Sequence, residues 1–297
     1  MKIVVGASSF AEKSKKALNA LLARGIEVVL NPYGRKMTKE EIIDHLKDAD
    51  GLLAGLETID AEVLDRAPKL KAIARIGIGM DNIDIDAAHQ RGIKVSNTPD
   101  APTEAVGEMV LAALLAISRQ IIPLNADMHN KIWKKRIGFS LHGKTVLIIG
   151  YGRIGQKVAE LLKLFGTHIL IYDPNRPDVT INCLEDGLQL ADIISLHASG
   201  NSEILNENSF SLMKRGVVIL NSARGNLINE NKLYEALKSG LVAWYWGDVH
   251  PVEPYYGKLT ECENAILTPH TSTYTDRCRE LMEYEAAKNI LRDLGYE

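Results

Sequence analysis

Three short loops in the second half of the chain carry side chains that could act together on a small acid. Arg224 follows the apolar run 217–220, Glu253 follows the apolar run 241–246, and His270 ends the segment 266–270. A guanidinium can bind a carboxylate through two parallel hydrogen bonds, and an imidazole can give or take a proton near neutral pH. A carboxylate beside the imidazole fixes its tautomer and favours its protonated form. The set suits proton transfer at the carbonyl oxygen of a bound acid, although each residue taken alone is more often structural.

A glycine-rich turn lies earlier in the chain and offers a site for a dinucleotide. The apolar run 144–149 leads into three glycines and then into a helix predicted over 156–165. The first glycine permits a tight turn, the second lets the backbone approach a pyrophosphate, and the third lets helix and strand pack closely. Free N–H groups and the dipole at the start of the helix attract that anion. The predicted cofactor-binding residues of this turn are Gly150, Gly152, Arg153, Ile154 and Gly155.

An acidic residue at the end of the next strand bears on which dinucleotide binds. Asp173 follows the predicted strand 167–172, where a carboxylate would take the ribose hydroxyls. The same carboxylate repels the 2′-phosphate of NADP, so the sequence predicts NAD. Arg176 leaves NADP open because a guanidinium binds phosphate well, and the competing interpretation of Arg176 is a solvated turn residue.

Alternating strands and helices predict the framework that positions these loops. Strands are expected near 2–6, 26–30, 51–54, 72–76 and 93–96, with helices between them that include 12–23 and one that starts from a capping box of Thr38 and Glu41. A second series covers 145–268. Such alternation gives parallel sheets with helices on both faces, which bind ligands at the carboxyl ends of their strands. The predicted fold class is α/β, with two doubly wound parallel-sheet domains.

Two proline-containing segments mark the predicted domain boundaries. Pro99 and Pro102 stop the last strand of the first series, after which Thr103 is expected to cap a long apolar helix reaching Ile117. The segment 268–272 would return the chain to the first domain, against which the last helix packs. The domains are therefore predicted as 1–98 with 271–297, and 99–270.

The composition argues against several other classes of protein. The 297 residues include 35 basic and 38 acidic side chains, and the formal charge of −3 gives no sign of a nucleic-acid partner. The longest apolar run is far shorter than the ~20 residues of a membrane span, and the start has no signal-peptide pattern. We therefore expect a soluble, cytoplasmic protein without a membrane partner. The three cysteines are not closely spaced and the eight histidines are scattered, so no metal site is predicted.

The order of these motifs, over essentially the whole chain, resembles that of the D-isomer-specific 2-hydroxyacid dehydrogenases. The segments 75–84 and 141–145 agree with the same family. The resemblance implies hydride transfer between a nicotinamide and C2 of a small 2-hydroxy or 2-oxo acid. It also implies a Rossmann-type NAD-binding domain plus a flavodoxin-like substrate domain. Arg224 would clamp the substrate, His270 would be the acid and base, and Glu253 would be the partner of His270.

Further site residues are implied by this resemblance alone. The substrate-binding residues besides Arg224 would be Arg75, Gly77, Ile78 and Gly79. The additional cofactor-binding residues would be Thr103, His197, Ser222, Ala223 and Asp248. Of these, Ala223 and Asp248 would contact the nicotinamide carboxamide. The helix that starts at Thr103 would help to build a homodimer.

Phosphoglycerate dehydrogenases are the relatives that the sequence resembles most, so D-3-phosphoglycerate is the first predicted substrate. Arg75, the segment 97–99 and the basic run 134–136 support this prediction, since cations help to hold a phosphate. The competing interpretation of the basic run is a solvated face. Two departures keep hydroxypyruvate and glyoxylate open: Glu57 lies in a loop where those enzymes often present an arginine, and the loop 197–201 is shorter than usual. An NAD(H)-sensing protein of the corepressor type is the alternative outside the enzymes.

Overall fold

Two compact units divide the chain in the computed structural model, which describes residues 1–200 and 202–296. The first unit is Met1–Pro102 together with the residues from Thr273 onward, and the second is Thr103–Ser272. Both junctions fall a few residues beyond the predicted boundaries at 98 and 270. Asn201, in the loop expected to be short, and Glu297, in the predicted terminal segment, lie outside the described residues.

The first unit is built on a five-stranded parallel sheet. Its elements are β1 Lys2–Val5, α1 Lys16–Leu22, β2 Glu27–Val29, α2 Lys39–Leu46, β3 Gly51–Ala54, α3 Ala61–Asp65, β4 Ala72–Arg75, α4 Ile85–Gln90 and β5 Lys94–Ser96. The strand order β2-β1-β3-β4-β5 puts the topological switch point between β1 and β3. One core joins α2, α3 and α4 to the sheet. The last helix of the chain, Asp276–Asp293, packs on β3, β4, β5 and α1 of this unit.

Local sequence explains where two of these helices begin. Thr38 and Glu41 form the predicted capping box, in which each side chain accepts a hydrogen bond from the other residue's backbone N–H. The first helix begins at Lys16, so the prediction of a start at Glu12 was wrong. Ala11, the residue before the predicted start, has a φ of +62° and donates its N–H to the Glu283 carboxylate at 3.0 Å, and the chain stays irregular through residues 12–15.

The second unit contains a six-stranded parallel sheet. Its elements are α5 Pro102–Ser118, α6 Ile121–His129, β6 Thr145–Ile149, α7 Arg153–Lys163, β7 His168–Tyr172, α8 Leu184–Leu190, β8 Ile193–Leu196, α9 Glu207–Leu212, β9 Val217–Asn221, α10 Glu230–Ser239, β10 Val242–Gly247 and β11 Ala265–Leu267; the last helix of the chain is α11. The strand order β11-β10-β9-β8-β6-β7 puts the switch point between β6 and β8. Separate apolar cores pack α5 and α7, and α8, α9 and α10, against this sheet.

Two helix starts in the second unit differ from the sequence predictions. Thr103 does not cap α5, because the helix already begins at Pro102, and proline suits a first helical position, where its missing N–H costs nothing. The helix after the glycine turn begins at Arg153 rather than at Gln156. Its N-cap is Gly152, which provides no capping side chain. No side chain of the N-cap residue therefore bonds the N–H groups in the first turn of the helix, which follows the predicted phosphate loop directly.

Taken one at a time, the helices of the described chain are too short or too polar to cross a membrane. Among these helices, only α5 and α6 are long and apolar enough when they are counted as a pair, and the pair is bent by 61° at its junction.

Candidate active site

The glycine turn between β6 and α7 has the backbone shape that a pyrophosphate needs. Gly150 has a φ of +90°, and a Cβ at this position would collide with the backbone of Ala198 after β8. A Cβ at Gly155 would collide with the carbonyl oxygen of Gly150. A Cβ at Gly152 would meet nothing within 4 Å, so this residue faces open space. Glycine at all three positions therefore leaves the start of α7 open to an anion, and the loop fits a dinucleotide.

Asp173 is hydrogen-bonded to this turn. Its carboxylate accepts a hydrogen bond from the Tyr151 N–H at 2.8 Å and another from the Asn175 N–H at 3.0 Å. Arg176 is held by a two-point ion pair with Asp178, with N···O distances of 2.7 and 2.6 Å. The guanidinium also lies over the Tyr151 ring, 5.6 Å from its centroid. The predicted ribose acceptor is thus beside the glycine turn, and the arginine that left NADP open is already paired.

Arg224 lies three residues after the end of β9 in a loop shaped by Asn221. The buried Asn221 side chain donates to the Arg224 carbonyl at 2.9 Å and accepts from the Ala223 N–H at 3.0 Å. The Arg224 guanidinium donates to the Ala223 carbonyl at 2.7 Å. A Cβ at Gly225 would collide with the backbone of His250, so the loops after β9 and β10 are in direct contact. Asn221 is a positioning residue whose role the sequence reasoning did not foresee.

His270 and Glu253 meet across two loops of the same sheet edge. The distance between His270 Nδ1 and Glu253 Oε2 is 3.0 Å, and the two side chains are 37% and 33% exposed. The second carboxylate oxygen accepts the His250 N–H at 3.2 Å. His250 Nε2 lies 3.1 Å from the Thr268 carbonyl oxygen, which joins the loops after β10 and β11. Burial alone would raise the pKa of Glu253, but the hydrogen bonds from His270 and from the His250 backbone, together with the charges of both imidazoles, outweigh burial and lower this pKa.

Asp248 builds the turn that presents His270. This residue is 1% exposed, and one carboxylate oxygen accepts from the Thr268 hydroxyl at 2.6 Å and the Thr271 N–H at 2.9 Å. The other accepts from the Ser272 N–H at 2.8 Å, and the Asp248 carbonyl accepts from the His270 N–H at 2.8 Å. These bonds hold His270 at a φ of +53°, a conformation that non-glycine residues adopt mainly at constrained positions. The observed contacts of Asp248 are with the turn, and its predicted contact with a carboxamide stays a prediction.

His197 follows β8, the strand beside β6 at the switch point. Its ring nitrogens lie 2.8 Å from Ser195 Oγ and 3.3 Å from Ser222 Oγ. Burial lowers the pKa of His197 to about 3, so the imidazole is neutral at neutral pH. The neutral ring therefore joins the loop after β8 to the loop after β9, and both loops contain predicted cofactor-binding residues. Its own contact with a cofactor stays a prediction, like that of Ser222.

The glycine segment of the first unit begins at the end of β4. The Gly77 N–H donates to the Thr98 hydroxyl at 2.8 Å, and the Gly77 carbonyl accepts the Thr98 N–H at 3.1 Å. The Asn97 side chain donates to the Ile78 carbonyl at 2.8 Å. In the described part of the chain, the N–H groups of Ile78 and Gly79 donate to no protein acceptor. The Arg75 guanidinium is buried and donates to the Ile76 carbonyl.

Metal ligands do not cluster in the described residues, where no group of three or more His, Cys, Asp or Glu side chains could hold an ion. The structure brings Arg224, Glu253 and His270 to neighbouring loops of β9, β10 and β11. The glycine turn and Asp173 lie at the same edge of this sheet, at the ends of β6 and β7. The residues that sequence reasoning missed, Asn221 and His250, are polar residues in the very loops it singled out, and that position was the signal available.

Several known proteins are similar to this chain over most of its length. Residues 111–272 match the NAD binding domain of the D-isomer specific 2-hydroxyacid dehydrogenases. The chain is 35% identical over 292 residues to the glyoxylate reductase of Thermococcus kodakarensis, which covers 91% of this chain and 88% of that protein. It is 36% identical over 273 residues to the hydroxypyruvate reductase of Thermotoga maritima, with coverages of 87% and 89%. The structure of NAD⁺-bound 3-phosphoglycerate dehydrogenase from Entamoeba histolytica has a TM-score of 0.83 at 29% identity and covers 98% of this chain and 94% of that one.

A glycine turn for a dinucleotide and a histidine–carboxylate pair on one parallel-sheet edge suit a nicotinamide-dependent oxidoreductase. The chain belongs to the family of D-isomer specific 2-hydroxyacid dehydrogenases. It is an NAD-dependent oxidoreductase that acts on 2-hydroxy acids. The predicted family, fold class and cofactor are thereby confirmed.

Proposed function

We propose that this enzyme transfers hydride between NAD(H) and C2 of a small 2-oxo or 2-hydroxy acid, with His270 as the acid and base. One observation carries the proposal: His270 and Glu253 are paired at 3.0 Å, and the loop of Glu253 also contacts the loop of Arg224. A positioned imidazole with an orienting carboxylate is the arrangement that general acid–base catalysis requires.

The chain's own residues divide the work at the carbonyl group. Arg224 binds the substrate carboxylate and the neighbouring oxygen through its planar fork. His270 gives a proton to the C2 oxygen in reduction and takes it back in oxidation. Glu253 stays ionised, because its pKa is lowered, and holds the His270 ring by Nδ1 so that Nε2 is the proton-transferring atom.

The cofactor supplies the hydride when bound, and the second unit provides its site. Gly150, Gly152, Arg153, Ile154 and Gly155 take the pyrophosphate at the start of α7, and Asp173 takes the ribose hydroxyls. The remaining cofactor-binding residues are Thr103, His197, Ser222, Ala223 and Asp248. Thr103 Oγ1 is buried without a protein partner in the described chain, which supports a role as a hydrogen-bonding group for the cofactor.

The glycine segment 77–79 is assigned to binding of the substrate carboxylate in this proposal. The N–H groups of Ile78 and Gly79, which donate to no acceptor in the described chain, support this assignment. Gly77 and Arg75 support this segment, because the Arg75 guanidinium packs where a Cβ of residue 77 would lie. Two substrate classes fit it: unphosphorylated acids such as glyoxylate and hydroxypyruvate, and a 3-phosphorylated acid, for which Arg75 is the candidate cation.

We also propose that the enzyme is a cytoplasmic homodimer. Large apolar side chains of the second unit are exposed on α6 and in the segment after it: Ile121, Ile122, Met128, Ile132, Trp133 and Ile137. An exposed apolar surface of this kind is typical of an interface. Sedimentation of the purified protein tests this, and a monomer at micromolar concentration would contradict it.

A steady-state substrate panel tests the proposed reaction. NADH oxidation is followed with glyoxylate, hydroxypyruvate, 3-phosphohydroxypyruvate and pyruvate, and we expect turnover on at least one. Glycolaldehyde is the matched control because it has a carbonyl group without the carboxylate that Arg224 would bind, so it should not be reduced. NADH binding without turnover on any 2-oxo acid would contradict the proposal and favour an NAD(H)-sensing role.

A further inference from the structure

Thr268 links the last strand of the second unit to the loop that follows β10. The residue comes directly after β11 and two positions before His270. Its N–H donates to the Gly247 carbonyl at the end of β10 at 3.0 Å. Its carbonyl accepts the His270 N–H at 3.0 Å and lies 3.1 Å from His250 Nε2. The backbone of Thr268 therefore joins the loop of Glu253 to the loop of His270.

The Thr268 hydroxyl is held in one direction by two buried side chains. Trp246 on β10 is fully buried, and its Nε1 lies 3.2 Å from Thr268 Oγ1. An indole N–H can only donate, so the hydroxyl oxygen is the acceptor of this bond and the hydroxyl proton remains for Asp248. The distance from Thr268 Oγ1 to Asp248 Oδ1 is 2.6 Å, which is the length of a strong hydrogen bond to a carboxylate. Two neighbours thus fix the position of one hydroxyl.

The same carboxylate bonds the residues on the other side of His270. Asp248 Oδ1 also accepts the Thr271 N–H at 2.9 Å, and Asp248 Oδ2 accepts the Ser272 N–H at 2.8 Å. The segment 268–272 is therefore attached to one buried carboxylate both before and after His270, whose φ is +53°. Loss of the hydroxyl would leave this segment attached to the carboxylate on one side only.

The place of this segment decides where the His270 ring lies. The distance of 3.0 Å between His270 Nδ1 and Glu253 Oε2 joins two loops, and it is kept only while the segment 268–272 stays in register with the loop after β10. An acid or base must be within hydrogen-bonding reach of the atom that it protonates, and a displacement of about 1 Å can cost roughly 10²-fold in rate. All the residues of this arrangement belong to the second unit.

We infer that Thr268 is a positioning residue for the reaction: its hydroxyl, which Trp246 orients, bonds Asp248 and thereby holds the turn of His270. The inference rests on the proposed function, in which His270 is the acid and base, and deepens it. Thr268 transfers no proton and binds no cofactor in this role. Its loss should therefore slow the chemical step without weakening the binding of NADH.

Thr268→Val tests this inference because valine has the size of threonine and lacks the hydroxyl. The single-turnover rate of NADH oxidation is measured at saturating 2-oxo acid, so that product release does not mask the chemical step. We expect this rate to fall by about tenfold. The NADH affinity from fluorescence titration, and the concentration of 2-oxo acid that gives half of the maximal rate, should stay within about twofold of the wild type.

Two further variants separate positioning from a loss of stability. Thr268→Ser keeps the hydroxyl and should restore the single-turnover rate to within about twofold of the wild type. Thr167→Val is the matched control, because Thr167 is another buried threonine of the second unit, whose hydroxyl donates to the Leu162 carbonyl at 3.0 Å. It should lower the midpoint of thermal unfolding, as Thr268→Val does, and leave the single-turnover rate unchanged.

The outcomes separate this inference from the proposed function. A wild-type rate in Thr268→Val, a rate of Thr268→Ser as low as that of Thr268→Val, or an equal loss of rate in Thr167→Val would overturn the role of Thr268 and leave the reaction intact. Absence of wild-type turnover on every 2-oxo acid would overturn both. If Thr268→Val does not fold, Trp246→Phe decides: it removes the N–H that orients the hydroxyl, the rate should fall by about threefold, and an unchanged rate would contradict the inference.

Discussion

In each unit the switch point lies between the first and third strands of the sheet, but different groups occupy it. In the second unit, Gly150 after β6 touches the backbone after β8, and Gly152 faces open space, so backbone groups are available to a ligand. In the first unit, Gly6 after β1 lies under the carboxyl of Glu57 after β3. A site made of backbone can accept the pyrophosphate that all dinucleotides share, whereas a buried carboxyl at the switch point covers the backbone there.

In the proposed function, the residues that move the proton and bind the cofactor belong to the second unit. The largest expected effect follows from His270→Ala, because no other group in the proposal moves a proton. We expect kcat to fall by roughly 10²–10⁴-fold, with NADH affinity measured by fluorescence titration nearly unchanged. His89→Ala, a substitution of an exposed histidine on α4, is the control. Wild-type turnover in His270→Ala would remove this residue from the mechanism.

Arg224→Lys tests whether a two-point fork is needed as well as a positive charge. One ammonium group cannot reproduce two parallel hydrogen bonds, so kcat/KM for the 2-oxo acid should fall by about 10–100-fold. Arg215→Lys changes an arginine whose side chain bonds the Ser239 carbonyl, and its kinetics should stay at the wild-type level. Equal kinetics of Arg224→Lys and wild type would contradict the clamp.

Glu253→Gln tests the carboxylate that holds the His270 ring. An amide offers either an oxygen or an N–H to Nδ1, so it no longer fixes Nε2 as the proton-transferring atom. We expect kcat to fall by about tenfold to 10²-fold, with NADH affinity nearly unchanged. Glu203→Gln, which changes an exposed acid bonded to Asn229, should leave kcat at the wild-type level. Wild-type kcat in Glu253→Gln would contradict the positioning role of this carboxylate.

Asp178→Asn should have the smallest effect and tests the proposed dinucleotide site of the second unit. The substitution releases Arg176 from its two-point ion pair near Asp173. We expect the ratio of kcat/KM for NADPH over NADH to rise about threefold to tenfold, because a freed guanidinium can bind the 2′-phosphate. Glu185→Gln, on α8, is the control for loss of a surface charge. A ratio that does not change would show that Arg176 does not reach the phosphate.

The sequence predicted the framework well because the signals are local. Strand β3 has the predicted bounds, the capping box of Thr38 and Glu41 forms, and the glycine turn lies between a strand and a helix. Helix starts were less accurate. The predicted start of α1 was four residues too early: Ala11 is bonded to Glu283, a residue on the last helix that no local window includes, and the chain stays irregular until Lys16.

The amino-acid sequence by itself determined the alternation of strands and helices, the glycine turn and the loops in which the ionisable residues lie. Apolar periodicity, glycine and proline act within a few residues, so these features can be deduced from the chain alone. Only the tertiary structure decided the long-range partners: Asp248 holds the turn of His270, and Glu57 lies over Gly6. Such contacts depend on which strands become neighbours and how their loops fold back, and neither is encoded in a local pattern.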